Sequence, residues 1–311
     1  MHETWAEEVT GGHPEKMLGS VMDGAAANRA AMRLMDVRHP TWINLPCTAH
    51  GLHLLFKDLG KLQKPRSGLV AKGVAKVLAT VQKISLVLGD AEQIRAALHE
   101  HQVRIYGKTR SVSANNPTRF AGIYIMGVDV ADTKKALRAM REDRSWDELK
   151  KTSSNHNAFD DAMSVGWWQC LDAVLELGKA VSDAIHKLEA NKPLLNQTLT
   201  IFETLIKHAE AWAAKVSRDR ATQHLAVSVV EVFKARAEKQ YTPPMAAAYA
   251  LDPINFKKPN LSDHARPPID AMSAEQQADF INTVARMNLA SGYTEGEEAA
   301  TREKVTVELT D

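Results

Sequence analysis

Two sets of residues in this sequence have the types and spacing to do chemistry. The first is Asp23, followed by Cys47 and His50. A carboxylate such as that of Asp23 suits a hard divalent ion like Mg²⁺, which prefers oxygen ligands. The same side chain is equally suited to capping the helix that follows it, so the two roles compete. Cys47 and His50 are spaced like half of a zinc site, but a structural zinc takes four ligands. His53 is too close to complete a paired pattern and Cys170 is distant, so packing within the core is the expected role of Cys47 and His50. The second set is basic: Lys72, Lys76 and Lys83, with Arg110 and Arg119 beyond them. Residues 57–110 hold eleven Lys and Arg against four Asp and Glu, a local excess that could follow a phosphate backbone. A solvated helix face is the competing meaning of such a run. Phe120 beside Arg119 could stack on an unpaired base, or could anchor a core with Arg119 as a surface charge.

The elements that must position these residues follow from hydrophobic period. Residues 18–22 form a short apolar run that stops at Asp23, Gly24 turns the chain, and residues 25–35 are rich in the helix formers Ala, Met and Arg. A second extended run, 42–45, follows the His39-Pro40 breaker and is closed by Pro46. Residues 47–59 then read as a helix with Leu52, Leu55, Phe56 and Leu59 on one face. The order strand, Asp, helix, strand, helix puts Asp23 at the carboxyl end of a strand, where open α/β sheets hold ligands.

Beyond residue 60 the pattern is helical. A stripe of Val70, Val74, Val77, Val81, Ile84 and Val87 or Leu88 predicts a helix over 69–88, with Lys72, Lys76 and Lys83 together on another side. A helix over 91–106 turns Ile94, Leu98 and Ile105 inward, and another region over 118–141 is interrupted near Gly127. Residues 150–161 read as a polar loop. Helices follow over 167–189 (Trp167, Leu171, Val174, Val181, Ile185, Leu188), 195–214 (Leu195, Leu199, Phe202, Leu205, Trp212) and 219–241, the last stopped by Pro243-Pro244. A short helix over 3–9 precedes the first strand, and one over 274–287, capped by Ser273, comes after a linker. The remainder is acidic and poor in large apolar groups, and is expected to be mobile.

Composition bounds the class. The chain has 311 residues, is 44% apolar and 25% charged, and carries a net charge of +1, so any basic surface must be local. Two cysteines exclude a disulfide scaffold and fit a reducing compartment. No apolar run approaches the roughly 18 residues of a membrane span, so a soluble, intracellular protein is expected.

The residues M-D-G-A-A-A-N at 22–28 and C-T-A-H-G-L-H-L-L-F-K-D-L at 47–59 resemble the hAT superfamily of DNA transposases. The closest likeness is to the segment known as domain of unknown function 659. Pro117-Thr118-Arg119-Phe120 is similar to that family's Thr-Arg-Phe signature, and residues 246–256, AAAYALDPINF, to its Ala-x-x-Leu-Asn-Pro block. Met22-Asp23-Gly24 stands where the family has Thr-Asp-Asn, Asn28 matches its following Asn, Cys47 and His50 its Cys-x-x-His, and Phe120 stands where one branch has tryptophan.

The resemblance implies an α+β, mainly α protein. A partial ribonuclease H-like α/β piece over 1–60 would precede an all-helical insertion over 61–258, with a linker, short helix and acidic tail over 259–311. It also implies Mg²⁺ or Mn²⁺ chemistry on DNA by three acids, of which Asp23 matches the second. The first would lie before residue 1 and the glutamate after the Leu-Asn-Pro block, where Glu295, Glu297, Glu298 and Glu303 match no motif. DNA contacts would fall on the insertion, at Lys72, Lys76, Lys83, Arg110, Arg119 and Phe120. The implied setting is the nucleus, with homo-oligomers or a longer transposase as partners and no membrane. The expected function is a transposase-derived protein that does not cut DNA alone, or a helical DNA- or protein-binding module of the same origin.

Overall fold

The computed structural model describes residues 2–13, 16–61, 69–113, 121–190, 192, 194–256 and 269–290. In chain order these form α1 (His2–Val9), β1 (Gly19–Met22), α2 (Ala26–Arg38), β2 (Ile43–Pro46) and α3 (Thr48–Leu59). There follow α4 (Lys72–Asp90), α5 (Glu92–Tyr106), α6 (Gly122–Asp132), α7 (Lys134–Glu142), α8 (Trp146–Leu149) and α9 (Asn157–Asp161). The last are α10 (Val165–Glu189), α11 (Thr198–Val216), α12 (Val229–Gln240), α13 (Pro243–Leu251) and α14 (Ala274–Ala290). The protein is α+β and mainly α. It divides into two compact units: residues 1–51, 191–202 and 238–311, and residues 52–190 and 203–237.

The first unit holds the sheet. β1 and β2 pair in parallel from Gly19 opposite Ile43 to Met22 opposite Pro46. The Ile43 N–H donates to the Leu18 carbonyl at 2.7 Å and the Cys47 N–H to the Met22 carbonyl at 2.6 Å, which fixes the register at both ends. α2 is the crossover that a parallel pair requires. Its Met32 and Met35 are buried with Trp42, against Met17 and Met22. Asn44 ties the layers together, accepting from Ser20 Oγ at 2.8 Å and donating to Asp36 on α2 at 3.0 Å. Two strands are marginal alone, and α14 reinforces them: Arg286 donates to the carbonyls of Pro40 and Trp42, just ahead of β2. α14 packs on α13 through Phe280, which meets the small residues Ala246, Ala247 and Ala250 with Ile269 and Met272. Its start is a reciprocal cap, as expected of Ser273: Ser273 Oγ accepts from the Gln276 N–H and Gln276 Oε1 from the Ser273 N–H.

The second unit is helical, built around α4. Val74, Val77, Val81, Ile84, Val87 and Leu88 are buried, as the stripe predicts. α4 meets α5, α6, α9 and α10. Glycines set two of the approaches. A Cβ at Gly127 would come within 2.9 Å of the Leu175 side chain, and one at Gly178 within 2.9 Å of the Tyr124 ring, so where α6 and α10 cross each glycine makes room for a side chain of the other helix. On α11, Trp212 is buried and its indole N–H donates to the Ala173 carbonyl at 2.8 Å.

Several sequence expectations are corrected. Ile105 is exposed; the inward face of α5 continues instead through His101 and Gln102. The break expected near Gly127 falls at Thr133, whose hydroxyl takes the Val130 carbonyl and turns the chain between α6 and α7. Residues 150–161 are no plain loop: α9 lies there, pinned by buried Ala158 and Phe159. Trp168, not Trp167, is the buried tryptophan at the head of α10. The helix expected from 219 begins at Val229, because Asp219 Oδ1 accepts the Ala221 N–H in a tight turn and Ser228 takes a left-handed φ of 61°. Pro243-Pro244 opens α13 rather than merely ending α12, since the first helical turn has no use for the missing N–H groups. Residues 238–256 and 269–290, expected in two different parts, belong to the same unit as the sheet. Most of the expected linker, 257–268, and the acidic tail lie outside the described residues.

Candidate functional site

The four motif residues of the first unit come together at one end of the sheet. β1 ends at Met22 and β2 at Pro46, so Asp23 and Cys47 leave the carboxyl ends of two parallel, adjacent strands. Asn28 lies in the first turn of α2 and His50 in the first turn of α3. Asp23 is exposed. Its Oδ1 accepts the Ala25 N–H at 2.8 Å and the Asn28 Nδ2–H at 2.9 Å. The Ala25 N–H does most to hold this carboxyl below its usual range; slight desolvation opposes it, and Asn28 and the charge of His50 add to the lowering. Asp23 thus closes a turn just ahead of α2 rather than capping it, a correction to the capping expectation: the cap position is Ala25, which makes no side-chain cap bond.

Gln240 is the residue that sequence reasoning missed here. It is buried at the end of α12, and its Nε2 donates to the carbonyls of Pro46 and Cys47, each at 3.3 Å. Gly51 lies against it so closely that any side chain at 51 would collide with the Gln240 amide. The clamp fixes the junction of β2 and α3, and with it the backbone that carries Cys47 and His50. A lone glutamine at the end of a helix gives no signal of this in sequence.

The donor set bears on the metal expectation. Asp23 is one carboxylate with one oxygen already engaged twice, and Asn28 presents its amide N–H rather than its oxygen. Among the described residues no three His, Cys, Asp or Glu side chains are grouped to hold a metal ion. A divalent ion takes several oxygens around it, of which Asp23 offers one carboxylate at this end of the sheet.

The basic residues lie in the second unit. Lys72, Lys76 and Lys83 are exposed on α4, along the one side of that helix that is not buried. Helical rise spaces them over about 16 Å. None of the three makes an ion pair with a described residue, unlike Lys179, Lys215 and Lys234, which have carboxylate partners. Leu86 extends the same stripe and is 46% exposed. Arg110 is different. Gln102 brackets its backbone, with Nε2 donating to the Arg110 carbonyl and Oε1 accepting the Arg110 N–H, both at 2.9 Å. Its guanidinium lies 4.3 Å over the Tyr106 ring and donates to the Asp132 carbonyl at the end of α6. Arg110 thus joins α5 to α6, and only its remaining N–H groups are open to a ligand. Arg119 and Phe120 lie outside the described residues.

No helix among the described residues is long and apolar enough to cross a membrane. Set against known proteins, the chain matches no family model, no curated protein and no solved structure.

Proposed function

We propose that this chain derives from an hAT-type DNA transposase, and that its helical unit binds DNA through Lys72, Lys76 and Lys83 without the chain cutting DNA by itself. The observation that carries the reading is the meeting of Asp23, Asn28, Cys47 and His50 at the carboxyl ends of two parallel strands. These positions are separated by up to 27 residues in sequence, yet they occupy the place where α/β sheets hold ligands. Further support comes from the chain order, in which the unit holding the sheet is interrupted twice, by residues 52–190 and 203–237 of the helical unit. The absence of cutting follows from chemistry: metal-assisted phosphoryl transfer needs several acidic oxygens, and Asp23 supplies one group. A nuclear setting and association with further transposase chains belong to the same proposal.

Binding to duplex DNA measured by fluorescence anisotropy tests it. Three lysine–phosphate contacts should give a log–log salt slope of about −2.7, so wild-type affinity should fall roughly 40-fold between 50 and 200 mM salt. Reversing Lys72, Lys76 and Lys83 to glutamate should remove that dependence together with most of the binding. Equal affinity of the triple variant would sink the assignment of the basic stripe. With Mg²⁺ or Mn²⁺, DNA carrying hAT-type terminal repeats should stay intact; nicking that vanishes in Asp23→Ala would overturn the non-cutting part.

A further inference from the structure

α2 has two apolar faces, and the sheet uses one of them. The inner face carries Met32 and Met35, buried with Trp42. At 3.6 residues per turn the opposite side carries Ala27, Ala30, Leu34 and Val37 in one row. All four are exposed, Leu34 by 61% and Val37 by 81%. One exposed aliphatic side chain needs no explanation, but a continuous row of them marks a surface that binds. The row does nothing for the fold, since the methionines and Asp36 already hold α2 to the sheet.

Charge says which partner fits. α2 has the arginines Arg29, Arg33 and Arg38 and a single acid, Asp36. Asp36 is engaged within its own unit, accepting from Asn44 at 3.0 Å and lying 3.7 Å from Arg286. Arg29 turns back to donate to the Gly24 carbonyl ahead of the helix. Arg33 and Arg38 are exposed and fall on the two flanks of the row, by the same helical period. The face is therefore apolar along its middle and positive on both sides. A second copy of the chain matches it poorly, because pairing α2 with itself in either direction sets arginine beside arginine. DNA would meet the arginines and leave the aliphatic row in water. A helix with an apolar row between acidic flanks satisfies both parts.

We propose that the outer face of α2 docks an acidic amphipathic helix of a partner protein. The row from Ala27 to Val37 is about 15 Å long, three turns, so a partner segment of about 11 to 15 residues covers it. Ala27 and Ala30 let the partner's axis approach closely, at about 8 Å, while Leu34 and Val37 pack into the grooves between its side chains. Arg33 and Arg38 meet its carboxylates at the rim, where such pairs set orientation and partner choice more than affinity.

Fluorescence anisotropy on the full chain tests this with a labelled helical peptide of about 15 residues, leucines in one row and glutamates on both flanks. It should bind the wild type with a micromolar Kd, as small interfaces do. Replacing Leu34 and Val37 together by glutamine should weaken binding at least about tenfold, because two aliphatic anchors are lost. Both positions are exposed, so the fold tolerates the change, and the amide spectrum of β1 and β2 verifies it. A matched peptide with lysine for glutamate should bind at least about tenfold more weakly than the acidic one. NMR shifts on adding the acidic peptide should fall on the amides of residues 27–37. No binding of that peptide, or equal binding by the glutamine variant or of the lysine peptide, would overturn the proposal. So would shifts confined to α4, where Lys72, Lys76 and Lys83 offer an acidic chain another seat. Shifts of the α2 amides with protein concentration alone would also overturn it, assigning the face to a second copy of the chain.

Discussion

Replacing Arg236 by alanine should destabilise the helical unit by about 2 kcal/mol, below the scale for a fully buried ion pair because both side chains keep some exposure and Lys61 stays on Asp58. Arg236 on α12 and Asp58 on α3 are only 11% and 19% exposed. The Arg236 Nε donates to Asp58 Oδ2 at 3.0 Å, a second N–H of the same guanidinium takes the same oxygen, and Lys61 donates to Oδ1 at 2.6 Å. Asp58 thus accepts three N–H bonds, and alanine at 236 would leave its part-buried carboxylate with Lys61 as the one donor of the three. Chemical denaturation at pH 7 reads the loss as a lower midpoint with an unchanged slope. Replacing Arg236 by methionine and Asp58 by leucine together should recover much of it, because the cost lies in the orphaned charge rather than in the missing attraction. A single variant as stable as the wild type would show that the pair contributes nothing net.

Acid gives the same prediction a second readout. Burial pushes the Asp58 carboxyl up, but the hydrogen bonds and charges of Lys61 and Arg236 together outweigh it and hold the group below its usual range. A folded value below the unfolded one means that the pair's contribution is fully present above the unfolded carboxylate range near pH 4. It is lost as pH falls through the folded value. The gap in stability between wild type and Arg236→Ala should therefore narrow on acidification below about pH 4. A gap that widened there would contradict the assignment of Asp58 as the group that titrates.

Hydrophobic period made the helical unit legible because most of its side chains obey one local rule. The valine stripe of α4 repeats at helical spacing and is buried as read. Errors gathered where a polar atom or a backbone angle overrides that rule. The Thr133 hydroxyl ends a helix that Gly127 leaves intact, and Ser228 starts α12 late through a positive φ. The candidate site divides in the same way. Asp23 could be marked because a strand–helix alternation puts it at the carboxyl end of a strand, whereas Asn28 was marked only by the motif resemblance at 22–28, and Cys47 and His50 by the resemblance at 47–59 and their Cys-x-x-His spacing. The fate of Arg110 was not legible, since its guanidinium partners are a ring four residues back and a carbonyl 22 residues on, and carbonyls carry no sequence signal. Gln240 escaped for the same reason: it acts on two carbonyls about 190 residues away.

Gly19→Ala should disrupt the sheet itself, at a cost of roughly 3 kcal/mol for the unit that contains it. Gly19 opens β1 with a φ of 151°, a part of the map that L side chains rarely enter. A Cβ built there would fall on the backbone carbonyl of Ile43, its register partner. Backbone cannot rotate out of the way as a side-chain tip can, so the strands must separate or shift. A shift of one residue would turn Met22 away from Met32, Met35 and Trp42 and expose that small core. Separation would instead break the Cys47 N–H to Met22 carbonyl bond, which holds the start of α3 beside the end of β1. Either outcome loosens the geometry that brings Asp23 and Asn28 to the same end of the sheet as Cys47 and His50. The measurement is amide exchange at Leu45 and Cys47, whose protection should fall together in Gly19→Ala, with the buried amides of α4 as the internal reference. Gly11→Ala is the control: it has a positive φ of 63° but nothing within 4 Å of an added Cβ, so it carries the strain without the collision. If the two variants lost protection equally, the close approach to Ile43 would not be what fixes these strands.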